Sequence, residues 1–560
     1  MEVIEYVFRR LYQVGIRSVH GVPGDYILDG LDYLSRAGLE WIGSVNELEA
    51  GYAADGYARV KSVSALVTTF GVGELGAISA LAGAYAEHVP IIHIVGSPMT
   101  GAQAKGKIMH HTLGDGDYGA FRTMSEKVSC FVANIETTAE GERAQVIDHA
   151  IRECVIQRRP VYIYIPIDLL MAKIDGASLN KQIDLERPYD QRSGDQAVQA
   201  VLSRLYSAKR PAILVDQGAG SFGALRQVRE FVTKTGLPTF VTVMGKSNVD
   251  ESLPNFCGVY QGTSSSPKVK EHFEASDVVL GIGIIPSDYN TGGFTGKSVS
   301  VKVKVQGSLT VVEDSQYSGI SMSRVLDELT NKIEKKPGWN ELAIPSVKDL
   351  HVTSTALESS ETITHSWLWS HISSWLQSED VIITETGTSN FGIAMTELPR
   401  NTQVIAQWLW GSIGYATGAC EGAAVAAKEL GMNRTVLFTG DGSFQLTATA
   451  LSTMLRHGLT PIIFIICNKG FTIERYVHGW EASYNDIMPW KYTHLPEAFG
   501  AANDKYQTHQ VKTKAQFRHL LQSNEFTKPT RLQLVEVWMP LEDAPDSLKS
   551  SGQAIKENAG

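Results

Sequence analysis

The sequence predicts an α/β protein built from three doubly wound domains, each around a parallel sheet. Short β-branched apolar runs alternate with helix-periodic segments along nearly the whole chain, the pattern of parallel strands joined by crossover helices. Glycines and acidic residues recur just after the apolar runs, at the edge where doubly wound sheets carry their sites. A length of 560 residues corresponds to three or four domains, each large enough for its own core.

Taken in order, Val3, Ile4, Val7, Leu11 and Val14 share one face of an opening helix. A strand over residues 17–22 ends in Gly21-Val22-Pro23-Gly24-Asp25. Strand-like residues 40–42 precede Asn46-Glu47-Leu48, which enters a helix of small residues, AGYAADGYAR. A buried strand over 65–70 ends in Gly71-Val72-Gly73-Glu74, a helix runs to His88, and 90–96 is a strand. A strand over 159–166 closes the first domain, residues 1–175. Residues 176–196 turn polar and lose periodicity, which reads as a linker. The second domain, 197–335, holds strands at 212–215, 239–243 and 278–281. A polar stretch over 334–362 leads to the third domain, 362–540, which opens with a strand at 381–384 and closes with one at 531–537. Residues 541–560 form a polar, helix-capable tail, a candidate flap. The first and third blocks are similar in kind.

The densest chemistry lies in residues 435–474. An apolar strand through Val436, Leu437 and Phe438 ends in Gly440-Asp441-Gly442-Ser443. Leu446, Ala450, Met454 and Leu455 recur at helical spacing and predict one helix, stopped by Gly458. A second strand, 462–467, ends in Asn468-Lys469-Gly470. A right-handed crossover brings both strand ends to one edge, so Asp441 and Asn468 can meet. A carboxylate, an amide oxygen and the Gly470 carbonyl are hard ligands that suit Mg²⁺. The amides of Gly442 and Ser443, at a helix start, suit a phosphate. The local reading is a Mg²⁺–diphosphate site; the bland alternative is an ordinary βαβ turn, which the strand-terminal Asn disfavours.

The composition, 43% hydrophobic and 20% charged, is that of a soluble globular protein. A net charge of −10 without any polybasic run argues against nucleic acid and against an anionic membrane surface. Cysteines at 130, 154, 257, 420 and 467 are odd in number and lack framework spacing, as expected of free thiols in a reducing compartment. The acidic, periodic N-terminus is not a signal peptide, and no run of ~18 apolar residues could span a membrane. The expected location is the cytoplasm. Gly218-Ala219-Gly220-Ser221-Phe222-Gly223 fits a dinucleotide fingerprint, but the acid that should follow about 20 positions later is missing. It reads as a tight turn.

GDG followed, one helix and one strand later, by Asn is the cofactor motif of thiamine-diphosphate enzymes, which the chain resembles over nearly its whole length. The usual motif ends in Asn-Asn; here Cys467-Asn468 keeps the second Asn, the one expected on the metal. Asn468-Lys469-Gly470-Phe471-Thr472-Ile473-Glu474 resembles the 2-oxo-acid decarboxylases of the pyruvate decarboxylase branch, above all the fungal ones. The resemblance implies a pyrimidine-binding first domain, a Rossmann-like middle domain that need hold no dinucleotide, and a diphosphate-binding third domain. It implies thiamine diphosphate with Mg²⁺ on Asp441, Asn468 and the Gly470 carbonyl. Further cofactor contacts are implied at Thr386, Gly387 and Thr388, at Gly411, Ser412 and the wedge Ile413, at Gly440, Gly442 and Ser443, and at Phe471, Thr472 and Ile473. Glu47, from a neighbouring subunit, is the implied proton partner of the cofactor's pyrimidine. Asp25, His110, His111 and Glu474 match the proton-handling set.

A 2-oxo acid that loses CO₂ leaves an electron pair no side chain can absorb, so this chemistry requires such a cofactor. The expected reaction is non-oxidative decarboxylation, first of all of pyruvate to acetaldehyde and CO₂. The expected assembly is a homodimer at minimum and a homotetramer as a dimer of dimers. Tyr289, Asn390, Ile473 and Val477 are expected near the substrate's side chain, with the polar Asn390 favouring short aliphatic acids over aryl ones. Phenylpyruvate, indolepyruvate or branched-chain 2-oxo acids are the alternative substrates. Carboligation of the acetohydroxyacid synthase kind is disfavoured by the histidine pair and Glu474, because a proton supply competes with carbon–carbon bond formation.

Overall fold

A computed structural model of the chain describes residues 1–345, 360–432 and 434–550. The first sheet contains β1 (Ser18–Gly21), β2 (Glu40–Gly43), β3 (Ser64–Thr69), β4 (Ile91–Ser97), β5 (Val132–Asn134) and β6 (Val161–Pro166). All its pairings are parallel, in the order β2-β1-β3-β4-β6-β5. The edge strand β5 has three residues, too few to show a periodicity in the sequence. Helix Val3–Gln13 buries Val3, Ile4, Val7 and Leu11 in this sheet's core.

The middle sheet contains β7 (Pro211–Val215), β8 (Thr239–Val241), β9 (Phe256–Val259), β10 (Val278–Ile282), β11 (Val303–Val305), β12 (Leu309–Val312) and β13 (Ser315–Ser318). Its order is β13-β12-β11-β10-β7-β8-β9, and β12 and β13 run antiparallel. This corrects the expectation of a purely parallel sheet: a hairpin forms one edge, and its outermost strand is largely exposed. The expected linker is also shorter than 176–196. Helix Gln191–Ser207 begins inside it, with the Asp190 side chain accepting from the Ser193 amide, and buries Val198, Val201 and Leu205.

The Gly218–Gly223 segment has an internal explanation. Helix Gln217–Ser221 presses against the end of β10, where a Cβ on Gly218 would lie 2.6 Å from the Gly283 carbonyl oxygen. Asp216 is buried beside it, accepting from the Gln217 and Ile285 amides, Thr242 Oγ1 and Asn290 Nδ2. These glycines serve strand-end packing.

The third sheet contains β14 (Val381–Thr384), β15 (Gln403–Ile405), β16 (Thr435–Gly440), β17 (Ile462–Cys467), β18 (Tyr506–Val511) and β19 (Leu532–Trp538). Its order, β15-β14-β16-β17-β19-β18, reproduces that of the first sheet strand for strand, again all parallel. The single helix expected after β16 is two, Asp441–Leu446 and Ala450–Arg456. The break falls at Thr447, whose hydroxyl donates to the Gly414 carbonyl (2.6 Å), and Leu446 consequently stays exposed.

The first and third domains meet through helices Glu47–Lys61 and Tyr415–Leu430, which approach at backbone contact. A Cβ on Gly422 would lie 1.7 Å from the Ala53 carbonyl oxygen, and one on Gly56 2.0 Å from that of Ala419. Residues 541–550 of the tail pack down, with Ala544 and Leu548 buried beside Phe391 and Trp408. The rest of the tail, 551–560, and residues 346–359 of the polar stretch before the third domain lie outside the described residues.

Candidate functional site

The third sheet's strand order reverses between β14 and β16, and a cleft opens at their carboxyl ends. Asp441, directly after β16, is buried and accepts from the amides of Gly442 (2.9 Å), Asn468 (3.0 Å), Lys469 (2.7 Å) and Gly470 (3.4 Å). Burial nevertheless pushes its carboxyl up to about 6, against the pull of those amides. The Gly442 amide is therefore engaged by Asp441, a correction to its expected role as a free phosphate donor. Helix Asp441–Leu446 is also short, a turn and a half.

Asn468 joins the strand-end groups: oriented to satisfy its neighbours, its amide NH₂ donates to Asp441 Oδ1 and to the Gly470 carbonyl (3.2 Å each) and its Oδ1 accepts from Thr472 Oγ1 (2.7 Å). A carboxylate, a side-chain amide and a backbone carbonyl therefore converge on one spot, and turning the amide over would present three hard oxygen ligands of the kind that suits Mg²⁺. Gly470 has φ +127°, and a Cβ there would meet the Asn485 carbonyl oxygen at 2.1 Å, so only glycine can aim this carbonyl.

Thr386, Gly387 and Thr388 form one wall, Ile413 faces them, and Gly440, Gly442, Ser443, Phe471, Thr472, Ile473 and Glu474 complete the lining. Gly411 and Gly414 flank the Ile413 loop with φ of +62° and +91°. Ser412 is held by Tyr52 Oη (2.6 Å) and by its amide to Gln407 Oε1 (2.9 Å). Sequence reasoning missed Glu385, which ties the two walls together. Its carboxyl accepts from the amides of Thr386 (2.9 Å), Gly414 (3.3 Å) and Ala416 (3.1 Å), and burial raises it to about 8. The signal was an acid directly at the end of a buried strand. Glu87 went unread as well: it binds Arg59 (2.8 Å) and accepts from the Leu409 amide (2.7 Å), just before the Ile413 loop.

The residues expected near the substrate separate. Ile473 lines the cleft. Tyr289 packs behind it in an apolar cluster with Phe391 and Trp408. Val477 and Asn390 are not among the lining residues. Asn390 is 1% exposed and bonds Thr384 Oγ1 (2.7 Å), so its amide is satisfied by the end of β14 rather than presented to a ligand.

A second constellation sits at the carboxyl edge of the first sheet. His110 Nε2 is hydrogen-bonded to Asp25 Oδ2, and His111 Nε2 lies 3.7 Å from Asp25 Oδ1. Tyr26 stacks on His110 with centroids 4.8 Å apart. His111 has φ +66° and its carbonyl oxygen rests against Gly71, where a Cβ would come within 2.1 Å. Glu47 begins the Glu47–Lys61 helix, which Asn46 caps, and its carboxylate lies over Gly73 and Gly76. The fold thus gathers Asp25, His110 and His111, but neither they nor Glu47 line the cleft that holds Glu474.

All five cysteines are unpaired, and four are buried. Among the described residues no helix is long and apolar enough to cross a membrane.

Three family models match the chain: the thiamine pyrophosphate enzyme N-terminal TPP binding domain over residues 1–117, the central domain over 198–309, and the C-terminal TPP binding domain over 385–530. Pyruvate decarboxylase of Aspergillus fumigatus is 51% identical over 556 residues, 99% of this chain and 97% of that protein. The Aspergillus terreus pyruvate decarboxylase is 49% identical over the same shares. Pyruvate decarboxylase isozyme 1 of Saccharomyces cerevisiae is 40% identical over 97% of this chain and 96% of its own. Among solved structures, a thiamine diphosphate-dependent 4-hydroxybenzoylformate decarboxylase of Rhodococcus jostii superposes with a TM-score of 0.76 at 17% identity, covering 97% of this chain and 100% of that one, which shows a shared fold.

Proposed function

The chain belongs to the thiamine-diphosphate-dependent 2-oxo-acid decarboxylases, and from that premise we propose that it decarboxylates pyruvate to acetaldehyde and CO₂ with Mg²⁺ as the metal. The observation that carries the reading is the convergence of Asp441, the Asn468 amide and the Gly470 carbonyl at one end of the cleft, with the amide 3.2 Å from both other groups.

Thiamine diphosphate supplies the electron sink that amino-acid side chains lack. Asp441, Asn468 and the Gly470 carbonyl would hold Mg²⁺, and Ser443, beside them in the cleft, would contact the cofactor. Ile413, across the cleft from Thr386, Gly387 and Thr388, would be the side chain against which the cofactor rests. Glu47, at the start of its helix and over Gly73 and Gly76, would face the cofactor's pyrimidine from a neighbouring subunit. Asp25, His110 and His111 share protons through the two contacts to Asp25 and deliver one to the product, with Glu474 as the acid on the cleft side. The assembly is a homodimer at least, in keeping with a cleft lined from one domain only, and a tetramer of two such dimers; the setting is the cytoplasm.

The test is a panel of 2-oxo acids with purified protein, cofactor and Mg²⁺, read as aldehyde formed. Pyruvate is expected to give the highest kcat/KM. Phenylpyruvate turned over as efficiently or better would overturn the pyruvate reading.

A further inference from the structure

We infer that Glu74 is a positioning residue for the proton-handling groups of the first domain, because it fixes the helix start on which both Glu47 and His111 rest. That helix is Val72–Ala86, with Gly71 as its N-cap residue. Glu74 is 1% exposed. Its Oε1 accepts from the Gly71 amide (2.9 Å) and its Oε2 from the Tyr162 hydroxyl (2.7 Å). The first bond is the return half of a capping box, in which an acid at the third helical position takes up the cap's own amide. The second reaches from the end of β3 to β6, two strands away in the sheet. Gly71 and Tyr162 are both buried, so neither donor has water to turn to.

Two neighbours lean on the turn so held. On one side the His111 carbonyl oxygen occupies the space a Cβ on Gly71 would need, 2.1 Å from it. On the other the Glu47 carboxylate lies against the first turns of the helix. A Cβ on Gly73 would be 3.3 Å from Glu47 Oε1, and one on Gly76 3.3 Å from Oε2. The partial positive charge of the helix start favours an ionised Glu47 there. Glu74 therefore acts through the backbone between these groups. Without it the Gly71 amide and the Tyr162 hydroxyl are buried and unpaired, and the turn shifts under Glu47 and His111. A displacement of an ångström at a reacting group can cost about a hundredfold in rate. The inference rests on the decarboxylase reading for the roles of Glu47 and His111 and adds to it a residue that touches neither cofactor nor substrate.

The full chain, loaded with thiamine diphosphate and Mg²⁺, is compared with Glu74→Ala and Glu74→Gln. Gln keeps an acceptor for the Gly71 amide; Ala does not. In Glu74→Ala, kcat should fall by about tenfold to a hundredfold, while KM for pyruvate and cofactor affinity stay near those of the unmodified protein. Glu74→Gln should recover most of that loss. Exchange of the cofactor's C2 proton for deuterium, which needs no substrate, should slow in Glu74→Ala as kcat does. In the cofactor-free chain, amide exchange read by mass spectrometry should quicken in segments 70–76 and 108–113. Tyr162→Phe removes one of the two bonds and takes the place of Glu74→Ala if that variant does not fold, with the same directions expected. Unmodified kcat and C2 exchange in the folded variant overturn the inference, as does a loss confined to KM or cofactor affinity. An unmodified protein that turns over no 2-oxo acid overturns the decarboxylase reading instead, and the two exchange measurements still decide for or against Glu74.

Discussion

At the scale of single residues, Asp441 sets the chemistry of the cleft. Burial, the largest cause, pushes its folded-state carboxyl up from the ordinary carboxylate range to about 6. Without a cation, the folded chain therefore holds this proton more tightly than the unfolded one, and stability declines as pH rises from the ordinary value to about 6. A cation on Asp441 competes with that proton. Mg²⁺-dependent cofactor binding should consequently weaken up to about tenfold per pH unit as pH falls below about 6. Tryptophan-fluorescence titrations at about pH 5 and about pH 7 check this, and equal affinities would remove Asp441 from the metal site. Glu385 yields a second expectation. Above about pH 8, where this carboxyl is ionised and both oxygens accept, Glu385→Gln keeps the shape but turns an NH₂ toward amides that need an acceptor. Losing one or two such bonds to a buried group, ~1.5–3 kcal/mol, should cut cofactor affinity tenfold or more. Equilibrium dialysis reads it, and unchanged affinity means the two walls do not depend on Glu385. Asp441 and Asn468 were legible because their spacing places them on one sheet edge. Glu385 and the inward turn of Asn390 were not, because what each side chain bonds to depends on backbone brought in from elsewhere.

At the scale of elements, the strands were readable where both faces are buried, as in β3, β4, β16 and β17, whose residues are almost all buried. β5 and the β12–β13 hairpin were not: short or half-exposed strands carry little periodicity. The helix broken at Thr447 misled for another reason, since a side chain bonding a distant carbonyl leaves the apolar spacing intact. The helix Glu47–Lys61 signalled its packing openly. A run of Gly and Ala with little amphipathicity is what two helices need to touch through their backbones. Gly422→Ala would push a methyl into the Ala53 carbonyl at 1.7 Å, where only movement of one whole helix relieves it. Overpacking of this kind costs about 1–3 kcal/mol or more. A lowered thermal midpoint is expected, together with weakened cofactor binding, because the second helix follows directly on the Ile413 loop. A midpoint equal to that of the unmodified protein would mean that the helices do not pack this closely.

At the scale of the molecule, the first and third sheets share one strand order, and each presents functional side chains at its own carboxyl edge. The resemblance of the two blocks was visible in the sequence; how the two edges are disposed was not, since that depends on contacts between residues far apart in the chain. The cleft is lined entirely from residues 386–474, while Glu47, Asp25, His110 and His111 stand on the other domain. If each complete site combines one subunit's Glu47 with its partner's Asp441, two inactive variants should complement each other. In a dimer of Glu47→Gln with Asp441→Ala, one site carries both substitutions and the other carries neither. Random exchange makes about half of the dimers hybrid, each with one intact site of two, so about a quarter of the unmodified activity should return. Subunits mixed under dissociating conditions and reassembled with cofactor and Mg²⁺ provide the measurement, with each variant reassembled alone as the control. Activity no greater than the sum of those controls would mean that each chain builds its site from its own domains.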